Sequence, residues 1–455
     1  MLKTLLLCGA AACVPLVAQP IQLVQETGLK DYGGVPFLAD LTGDGRNEFL
    51  WLQSPGMFYS KVYDRPPYAG RFAFSQEELT HFCLTATDTK GKILWRVGQP
   101  WRGTRPFVTH SSERSLAVAD LDGDGKPEVA VIRRGALVIL DGRTGTERRS
   151  AALESDNMQI VLAARTGSGP RDWTLLVKNA EAAYPPHEYG NPAFFYSPDL
   201  KVRKKADYLG AGHTPRAQDL DGDGLDEFLI GFNRIGPRLQ TAWSFRPVPD
   251  AEWNPLEMHV DAMAVGELQG QPAIAYAASN QTFALTAGRG SLLWKRPSSH
   301  PQQPQIGRFV AGGGNQVLIV NKRGTLDLVD ENGKELWSWD PPAHFPAGRS
   351  PHAAGRFHVF DPAVLLPRTG PEGTDTVAYS DNGWPYLVDG KGTLYRTFPH
   401  TPNTAQEFGK VPGRPDDYGY GYYVRVDTTA STPDAWRVVI NDRRWMWVYS
   451  VARSR

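Results

Sequence analysis

Acidic residues recur at alternate positions in two short Asp-Gly segments of the sequence. In residues 120–128 and 219–227, carboxylates stand at positions 1, 3, 5 and 9, and a glycine at position 6 permits a sharp turn. The main-chain carbonyl at position 7 adds a further oxygen. Because Ca²⁺ prefers six to eight hard oxygen ligands, both segments predict calcium sites. The predicted ligands are Asp120, Asp122, Asp124, Lys126 and Glu128 in one segment, and Asp219, Asp221, Asp223, Leu225 and Glu227 in the other.

A third Asp-Gly segment is less complete, since it offers Asp40, Thr42, Asp44 and Glu48. An alternative interpretation is that Asp and Gly only form turns here. Two complete copies at the same phase of a repeat favour metal ligation over that alternative. Strand-like sequence on both sides of each segment indicates that a bound ion would stiffen a hairpin, so we expect structural and not catalytic calcium.

The elements that must position these segments form a repeat. Residues 115–132 contain a short apolar strand, the Asp-Gly loop and a second β-branched strand, and more strands follow. Further copies, with or without the acidic residues, span 35–50, 216–231, 264–268, 306–309 and 354–357. Two more units, 158–163 and 422–427, rest on strand pattern alone. Intervals of about 40 to 60 residues are typical of propeller blades.

The sequence therefore predicts an all-β fold, a single β-propeller of about eight four-stranded blades, with seven as the alternative. The longer first interval predicts an insertion around residues 59–81. Four tryptophans fall late in their units and predict a repeated packing position between blades. They are Trp95, Trp243, Trp294 and Trp337.

Composition and the N-terminal segment bound the class of protein. The 455 residues carry 49 Lys+Arg and 49 Asp+Glu, and this zero net charge argues against a nucleic-acid binder. Residues 1–18 resemble a secretion signal, which leaves residues 19–455 for the propeller, and we expect a secreted or periplasmic protein without a membrane span. Lipid attachment at Cys13 is the less favoured alternative. After signal removal only Cys83 remains, so no intrachain disulfide can form; a monomer is expected.

The Asp-Gly units resemble FG-GAP or VCBS-type propeller repeats, as found in integrin α-chain heads and in bacterial secreted proteins. More narrowly, residues 210–227 are similar to a segment of propeller polysaccharide lyases of the rhamnogalacturonan lyase-like and ulvan lyase-like families. That resemblance implies cleavage of uronate-containing glycans by β-elimination, with an acidic polysaccharide or other glycan as the partner. A non-catalytic propeller that binds glycan or protein is the alternative.

Histidines occupy one phase of the repeat. Five of the ten lie just ahead of the first strand of a unit, namely His110, His213, His259, His300 and His352. Since first strands line the channel of a propeller, these residues predict one mouth of the channel, opposite the acidic loops. A transition metal at this mouth is a minor alternative, because no two histidines lie close together on one element.

Elimination of a uronate needs a cation or strong donor for the C6 carboxylate, a base for the C5 proton and an acid for the leaving oxygen. Arg216 and a histidine suit the carboxylate, and histidine or tyrosine suits the base. In the lyase families that the chain resembles, His, Tyr and Arg form the active site. The resemblance therefore implies His110, Tyr189, His213 and Arg216 as catalytic candidates, and the phase of the histidines adds His259.

Overall fold

The architecture is a ring of eight four-stranded antiparallel sheets with almost no helix. The computed structural model describes residues 21–54, 77, 80–102, 115–155, 158–179, 186–255, 257–321, 325–339, 363–381, 384–392, 394–399, 423–441 and 444–454. Within these residues, none of the helices has the length and apolar character needed to cross a membrane.

The first four blades follow one another along the chain. Blade 1 contains β2 (Val35–Ala39), β3 (Glu48–Gln53), β4 (Cys83–Thr87) and β5 (Ile93–Gly98). Blade 2 contains β6 (Leu116–Ala119), β7 (Glu128–Arg133), β8 (Ala136–Asp141) and β9 (Glu147–Ala152). Blade 3 contains β10 (Met158–Arg165), β11 (Trp173–Asn179), β12 (Ala193–Tyr196) and β13 (Val202–Ala206). Blade 4 contains β14 (Arg216–Gln218), β15 (Glu227–Ile230), β16 (Asn233–Ile235) and β17 (Thr241–Ser244).

The remaining blades repeat this order until the last. Blade 5 contains β18 (Ala262–Leu268), β19 (Gln271–Ala278), β20 (Gln281–Thr286) and β21 (Leu292–Pro297). Blade 6 contains β22 (Pro301–Gly307), β23 (Gln316–Asn321), β24 (Leu326–Val329) and β25 (Glu335–Trp339). Blade 7 contains β26 (Val364–Leu366), β27 (Thr376–Asp381), β28 (Trp384–Val388) and β29 (Leu394–Thr397). Blade 8 contains β30 (Tyr423–Thr432), β31 (Ala435–Asn441), β32 (Trp445–Ala452) and β1 (Ile21–Gly28).

Blade 8 closes the ring because it combines both ends of the described chain. The N-terminal strand β1 is its outermost strand and pairs antiparallel with β32, from Ile21 opposite Val451 to Gly28 opposite Trp445. The innermost strand β30 contacts the innermost strand β2 of blade 1. Closure of this kind leaves only the outermost strand of each blade with a free sheet edge.

The predicted all-β propeller is confirmed, and the blade count is eight and not seven. Units 158–163 and 422–427, which rested on strand pattern alone, coincide with the inner strands β10 and β30. The predicted first strand at 354–357 lies outside the described residues. Among the described residues, the four-stranded sheet of blade 7 begins at β26.

The inner strand of blade 7 is short and apolar. It spans Val364–Leu366 and ends at the fully buried Leu366. In blade 6, Gly-Arg-Phe at 307–309 marks the end of the inner strand and not its core. Burial of apolar side chains, more than this tripeptide, therefore identifies an inner strand.

The tryptophan prediction is confirmed by a contact that recurs between neighbouring blades. Each indole ring lies against a glycine in the last turn of the next blade, where an added Cβ would stand 2.6–2.9 Å from the nearest ring atom. The pairs are Trp95–Gly145, Trp243–Gly290, Trp294–Gly333 and Trp337–Gly392. Because no side chain fits there, each glycine permits the close approach that joins one blade to the next.

Candidate functional site

All inner strands run in the same direction, so the ring has two distinct ends. At the histidine end, where the inner strands begin, lie Tyr189, His213, His259 and Asp261. The acidic loops 40–47, 120–127 and 219–226 lie at the loop end, where the inner strands of blades 1, 2 and 4 end. The three residues of β14 separate the two ends in blade 4 by about 10 Å of strand.

The acidic loop of blade 2 has the donors for a cation. Oxygens of Asp120, Asp122 and Glu128 lie within 4.8 Å of one another. Burial raises the pKa of Glu128, and the nearby carboxylates of Asp122 and Asp120 raise it further. Three converging carboxylates, one of them buried, repel one another unless a cation lies between them, so this donor set fits Ca²⁺.

One predicted ligand of this loop, Asp124, points elsewhere. The carboxylate of Asp124 accepts a hydrogen bond from the backbone N–H of Lys126 at 2.8 Å and pairs with the Lys126 ammonium at 3.3 Å. The loop therefore places three of its four acids together and uses the fourth to shape its own turn. The nearby Arg148 pairs with Asp141, not with the three clustered carboxylates.

The loop of blade 4 has the same sequence pattern but contains its own cation. Asp219, Asp221 and Glu227 again bring their oxygens within 4.8 Å. The guanidinium of Arg234, on β16, donates to Glu227 at 2.7 Å and also to Asp221. Calcium at this loop stays a prediction, and the ion would have to displace a buried arginine.

At the equivalent strand position, blade 2 has the apolar Ile139, as the registers Leu229↔Arg234 and Ala130↔Ile139 show. Asp223, like Asp124, accepts a backbone hydrogen bond two residues on, from Leu225 at 2.8 Å. The difference between the two loops therefore lies in a strand that the loop motif does not include.

The first loop is a turn stabilised by one carboxylate. Asp40 accepts hydrogen bonds from four backbone N–H groups, the shortest at 2.6 Å from Gly43. These bonds lower the pKa of Asp40 against the opposing effect of burial. Asp44 accepts a hydrogen bond from the N–H of Arg46, and Glu48 accepts one from the N–H of Leu41. In the described part of the chain this loop forms no three-carboxylate cluster, which agrees with the weaker site expected from its sequence.

At the histidine end, four side chains from three successive blades meet. The Nε2 atoms of His213 and His259 lie 3.2 Å apart. Asp261 Oδ1 lies 3.5 Å from His213 Nε2 and 3.6 Å from His259 Nε2. The Tyr189 hydroxyl is 3.5 Å from His213 Nε2, and its ring centroid is 4.5 Å from that of His259. The predicted convergence of histidines therefore exists for His213 and His259.

Close backbone packing produces this meeting. The N–H of His213 donates to the carbonyl of Val260 at 2.8 Å, which joins the segment before β14 to the segment before β18. Gly212, at φ +50°, approaches Val260 so closely that an added Cβ would stand 1.9 Å from its carbonyl oxygen. Gly190 in turn lies against Gly212, with its added Cβ 2.6 Å from the Gly212 nitrogen. Two glycines thus allow Tyr189, His213 and His259 to stack as neighbours.

Asp261 is the buried charge of the cluster. Its side chain is 3% exposed; Oδ1 accepts a hydrogen bond from Gln302 at 2.9 Å, and Oδ2 accepts one from the N–H of Ser279 at 3.0 Å. Burial raises its pKa, but the positive potential of His259, His213 and His300 outweighs burial and holds the pKa well below its ordinary value. Asp261 is therefore an oriented carboxylate that faces the two imidazoles.

Lys178 lies directly beneath the cluster. This fully buried side chain, near the end of β11, donates to the carbonyl of Gly212 at 2.7 Å and to that of Asn179 at 2.6 Å. Burial lowers the pKa of Lys178 to about 7. The ammonium thus supports the backbone from which His213 projects.

The remaining sequence candidates have other surroundings. Arg216 lies three residues after His213, and its Nε donates to the carbonyl of Met263 at 2.7 Å, which ties β14 to β18. His110 and His352 lie outside the described residues. The sequence reasoning missed Asp261 and Lys178. The spacing His259-x-Asp261 was an available signal, because alternate residues of an extended chain face the same side.

A separate cleft opens at the same end of the ring, between blades 1, 2 and 3. His81 and Arg134 line it, together with Ser115 and Gln159. Burial, with a smaller effect of the Arg134 charge, lowers the pKa of His81 to about 4. The cleft is distinct from the cluster, whose residues belong to blades 3, 4 and 5.

Comparison with known proteins supports the resemblance that the sequence suggested. The model of the FG-GAP repeat matches residues 114–146, which include the acidic loop of blade 2. A comparison with functionally curated proteins finds no match.

Solved structures with a similar fold include rhamnogalacturonan lyases. An exotype rhamnogalacturonan lyase matches with a TM-score of 0.56 at 15% identity, over 97% of this chain and 76% of the other. The rhamnogalacturonan lyase of Bacillus licheniformis matches with a TM-score of 0.55 at 14% identity, over 96% and 76%. The V. cholerae biofilm matrix protein Bap1 matches with a TM-score of 0.51 at 13% identity, over 93% and 88%. At these identities the likeness establishes the propeller fold.

Proposed function

We propose that this protein is an exported, calcium-stabilised propeller that cleaves uronate-containing polysaccharides by β-elimination. The observation that carries the proposal is the convergence of Tyr189, His213, His259 and Asp261 at the histidine end. Likeness to rhamnogalacturonan lyases supports a glycan substrate. The apolar run within residues 1–18 supports export, and the three-carboxylate loop of blade 2 supports calcium.

The chemistry requires removal of a weakly acidic proton. A base takes the proton from C5, the electron pair forms the C4=C5 double bond, and the C4–O4 bond breaks with protonation of the departing O4. The C6 carboxylate must be held by positive charge, because the carbanion that develops at C5 is otherwise too unstable.

Tyr189 is suited to the proton transfers. Its hydroxyl lies 3.5 Å from His213 Nε2, within reach of the imidazole. Once it has lost its own proton to solvent, the Tyr189 oxygen can accept the C5 proton, and the hydroxyl so formed can donate that proton to O4. His213 is 19% exposed, so the cluster is in contact with solvent.

The two imidazoles are suited to hold the uronate carboxylate. A single proton shared by His213 and His259 balances only the charge of Asp261. The additional positive charge that a uronate needs must come from a second proton, from a bound cation or from Arg216 nearby. His110 stays a candidate from sequence alone.

The test is formation of unsaturated uronyl products, followed by ultraviolet absorbance, on a panel of acidic polysaccharides that includes rhamnogalacturonan. We expect activity in the wild type and a loss of at least about 100-fold in kcat for Tyr189→Phe, the usual scale of general acid–base catalysis. His213→Ala should lose activity as well. Tyr208→Phe is the matched control, because the buried Tyr208 hydroxyl has no hydrogen-bond partner among the described residues.

The alternative function, glycan binding without cleavage, gives a different result. Wild-type protein would then bind a polysaccharide on an array and release no unsaturated product from any member of the panel. That outcome would overturn the lyase proposal, whereas full activity in Tyr189→Phe would overturn the role assigned to Tyr189.

A further inference from the structure

We infer that His213, His259 and Asp261 form a binding site for one divalent transition-metal ion, with Zn²⁺ as the best-matched ion. The inference depends on the geometry of the cluster and not on lyase activity. It is distinct from the calcium proposal, which concerns the opposite end of the ring.

The distances between the donor atoms match a tetrahedral site. In such a site, bonds of about 2.0–2.1 Å place neighbouring ligand atoms about 3.3–3.4 Å apart. The two Nε2 atoms are 3.2 Å apart, and Asp261 Oδ1 is 3.5 and 3.6 Å from them. The three atoms therefore form one face of a tetrahedron around a single point.

Hydrogen bonding alone accounts poorly for this arrangement. Two ring nitrogens that face each other can share only one proton, and the nearby Asp261 oxygen is a third acceptor aimed at the same point. Asp261 is 3% exposed and His259 9%, so water compensates little for this convergence of lone pairs. A bound cation satisfies all three donors at once.

The surroundings hold the donors in place, as outer residues of metal sites do. Gln302 donates to Asp261 Oδ1 at 2.9 Å, and the N–H of Ser279 donates to Oδ2 at 3.0 Å. His213 is fixed through its backbone bond to Val260, and the ring of Tyr189 covers His259. The donors are thus preorganised across blades 4 and 5.

The kinds of donor decide which ion is expected. Two imidazole nitrogens and one carboxylate oxygen suit Zn²⁺ and related transition metals, whereas Ca²⁺ prefers six to eight oxygens. The cluster therefore discriminates against the ion that the loop end favours. His213 is the most exposed of the three ligands, at 19%.

Such an ion would also supply the charge discussed above. With neutral imidazoles and one carboxylate, a divalent ion leaves a net charge of +1, which a uronate carboxylate can neutralise. This part of the inference rests on the proposed function; the metal site itself does not.

The experiment measures metal content and affinity. Protein is stripped with a chelator, dialysed and titrated with Zn²⁺ at neutral pH in the presence of excess Ca²⁺, and Co²⁺ is used as a spectroscopic substitute. We expect one Zn²⁺ per chain and visible absorption of the Co²⁺ form typical of tetrahedral N/O ligands. His259→Ala and Asp261→Asn should each weaken Zn²⁺ binding at least 100-fold.

The control is Asp122→Asn at the loop end, which should leave Zn²⁺ binding unchanged. His213→Gln, at the more exposed ligand, serves where the buried variants fail to fold, as judged by circular dichroism. No Zn²⁺ or Co²⁺ bound by the wild type, or binding unchanged in the folded ligand variants, would overturn the metal site. A metal-binding protein without lyase activity would overturn only the proposed function.

Discussion

The two ends of the ring both bring together three side chains that could bind a metal ion, yet they collect these donors in opposite ways. At the loop end, Asp120, Asp122 and Glu128 come from nine consecutive residues around one hairpin. At the histidine end, His213 comes from the segment before blade 4, and His259 and Asp261 from the segment before blade 5. The first site forms once a single hairpin forms, whereas the second requires two blades to dock.

This difference indicates how the origin of the ligands determines which ion each end of the ring would prefer. The local loops supply only oxygen atoms, because Asp-Gly turns at this spacing carry no nitrogen ligand. The docked site mixes nitrogen and oxygen, because different blades contribute different residues. Even identical local loops can diverge through a neighbouring strand, as Arg234 in blade 4 and Ile139 in blade 2 demonstrate.

The largest expected effect concerns the docking of blades at the histidine end. In Gly212→Ala the new methyl group would meet the Val260 carbonyl at 1.9 Å, in a left-handed backbone conformation. We expect a loss of about 3–5 kcal/mol in the free energy of unfolding, measured by chemical denaturation. Gly270→Ala is the control, because Gly270 also has a positive φ of +69° but nothing within 4 Å.

The control should lose only about 1–2 kcal/mol, the cost of the left-handed conformation. Equal losses in the two variants would show that backbone conformation, and not the contact between blades, limits the histidine end.

A smaller effect separates the two acidic loops. Saturating Ca²⁺, at about 100 times its Kd, should stabilise the wild type by about 2.7 kcal/mol for one site. Asp122→Asn should lose most of this gain because it removes a ligand from the three-carboxylate loop of blade 2. Asp221→Asn should keep the gain, since Arg234 already neutralises that loop.

Thermal unfolding with and without Ca²⁺, together with calcium content by elemental analysis, provides the measurement. Arg234→Gln should add one bound ion per chain. Equal loss of the calcium response in the two Asp→Asn variants would contradict the role assigned to Arg234.

The smallest expected effect is a pH dependence from Lys178. Its pKa is lowered to about 7 in the folded protein by burial, from 10.5 as the ordinary value. Between these values the unfolded chain binds more protons than the folded chain, so stability rises as the pH increases from 7 towards 9. Lys178→Met should flatten this part of the profile, measured as the free energy of unfolding at several pH values.

An unchanged slope in Lys178→Met would mean that another group sets the pH dependence. The substitution also leaves the carbonyls of Gly212 and Asn179 without their donor. The test therefore compares slopes with pH and not absolute stabilities.

The pattern of strands and loops made most of the fold predictable. Alternation of apolar residues, the repeat interval and the late tryptophans pointed to the propeller, because each depends on residues within a single blade. The sequence pattern did not identify the inner strand of blade 7 at Val364–Leu366. Three residues are too few for a periodic pattern, and packing against the ring selects them.

The sequence by itself determined the repeat, the acidic loops and the phase of the histidines, because each is encoded within a few consecutive residues. Only the tertiary structure decided that His213 meets His259, that Asp261 lies beside both ring nitrogens, and that Arg234 pairs with the acids of one loop and not the other. Those contacts join positions separated by a blade or a strand. Their geometry follows from backbone approach at Gly212 and from sheet register, which no local pattern records.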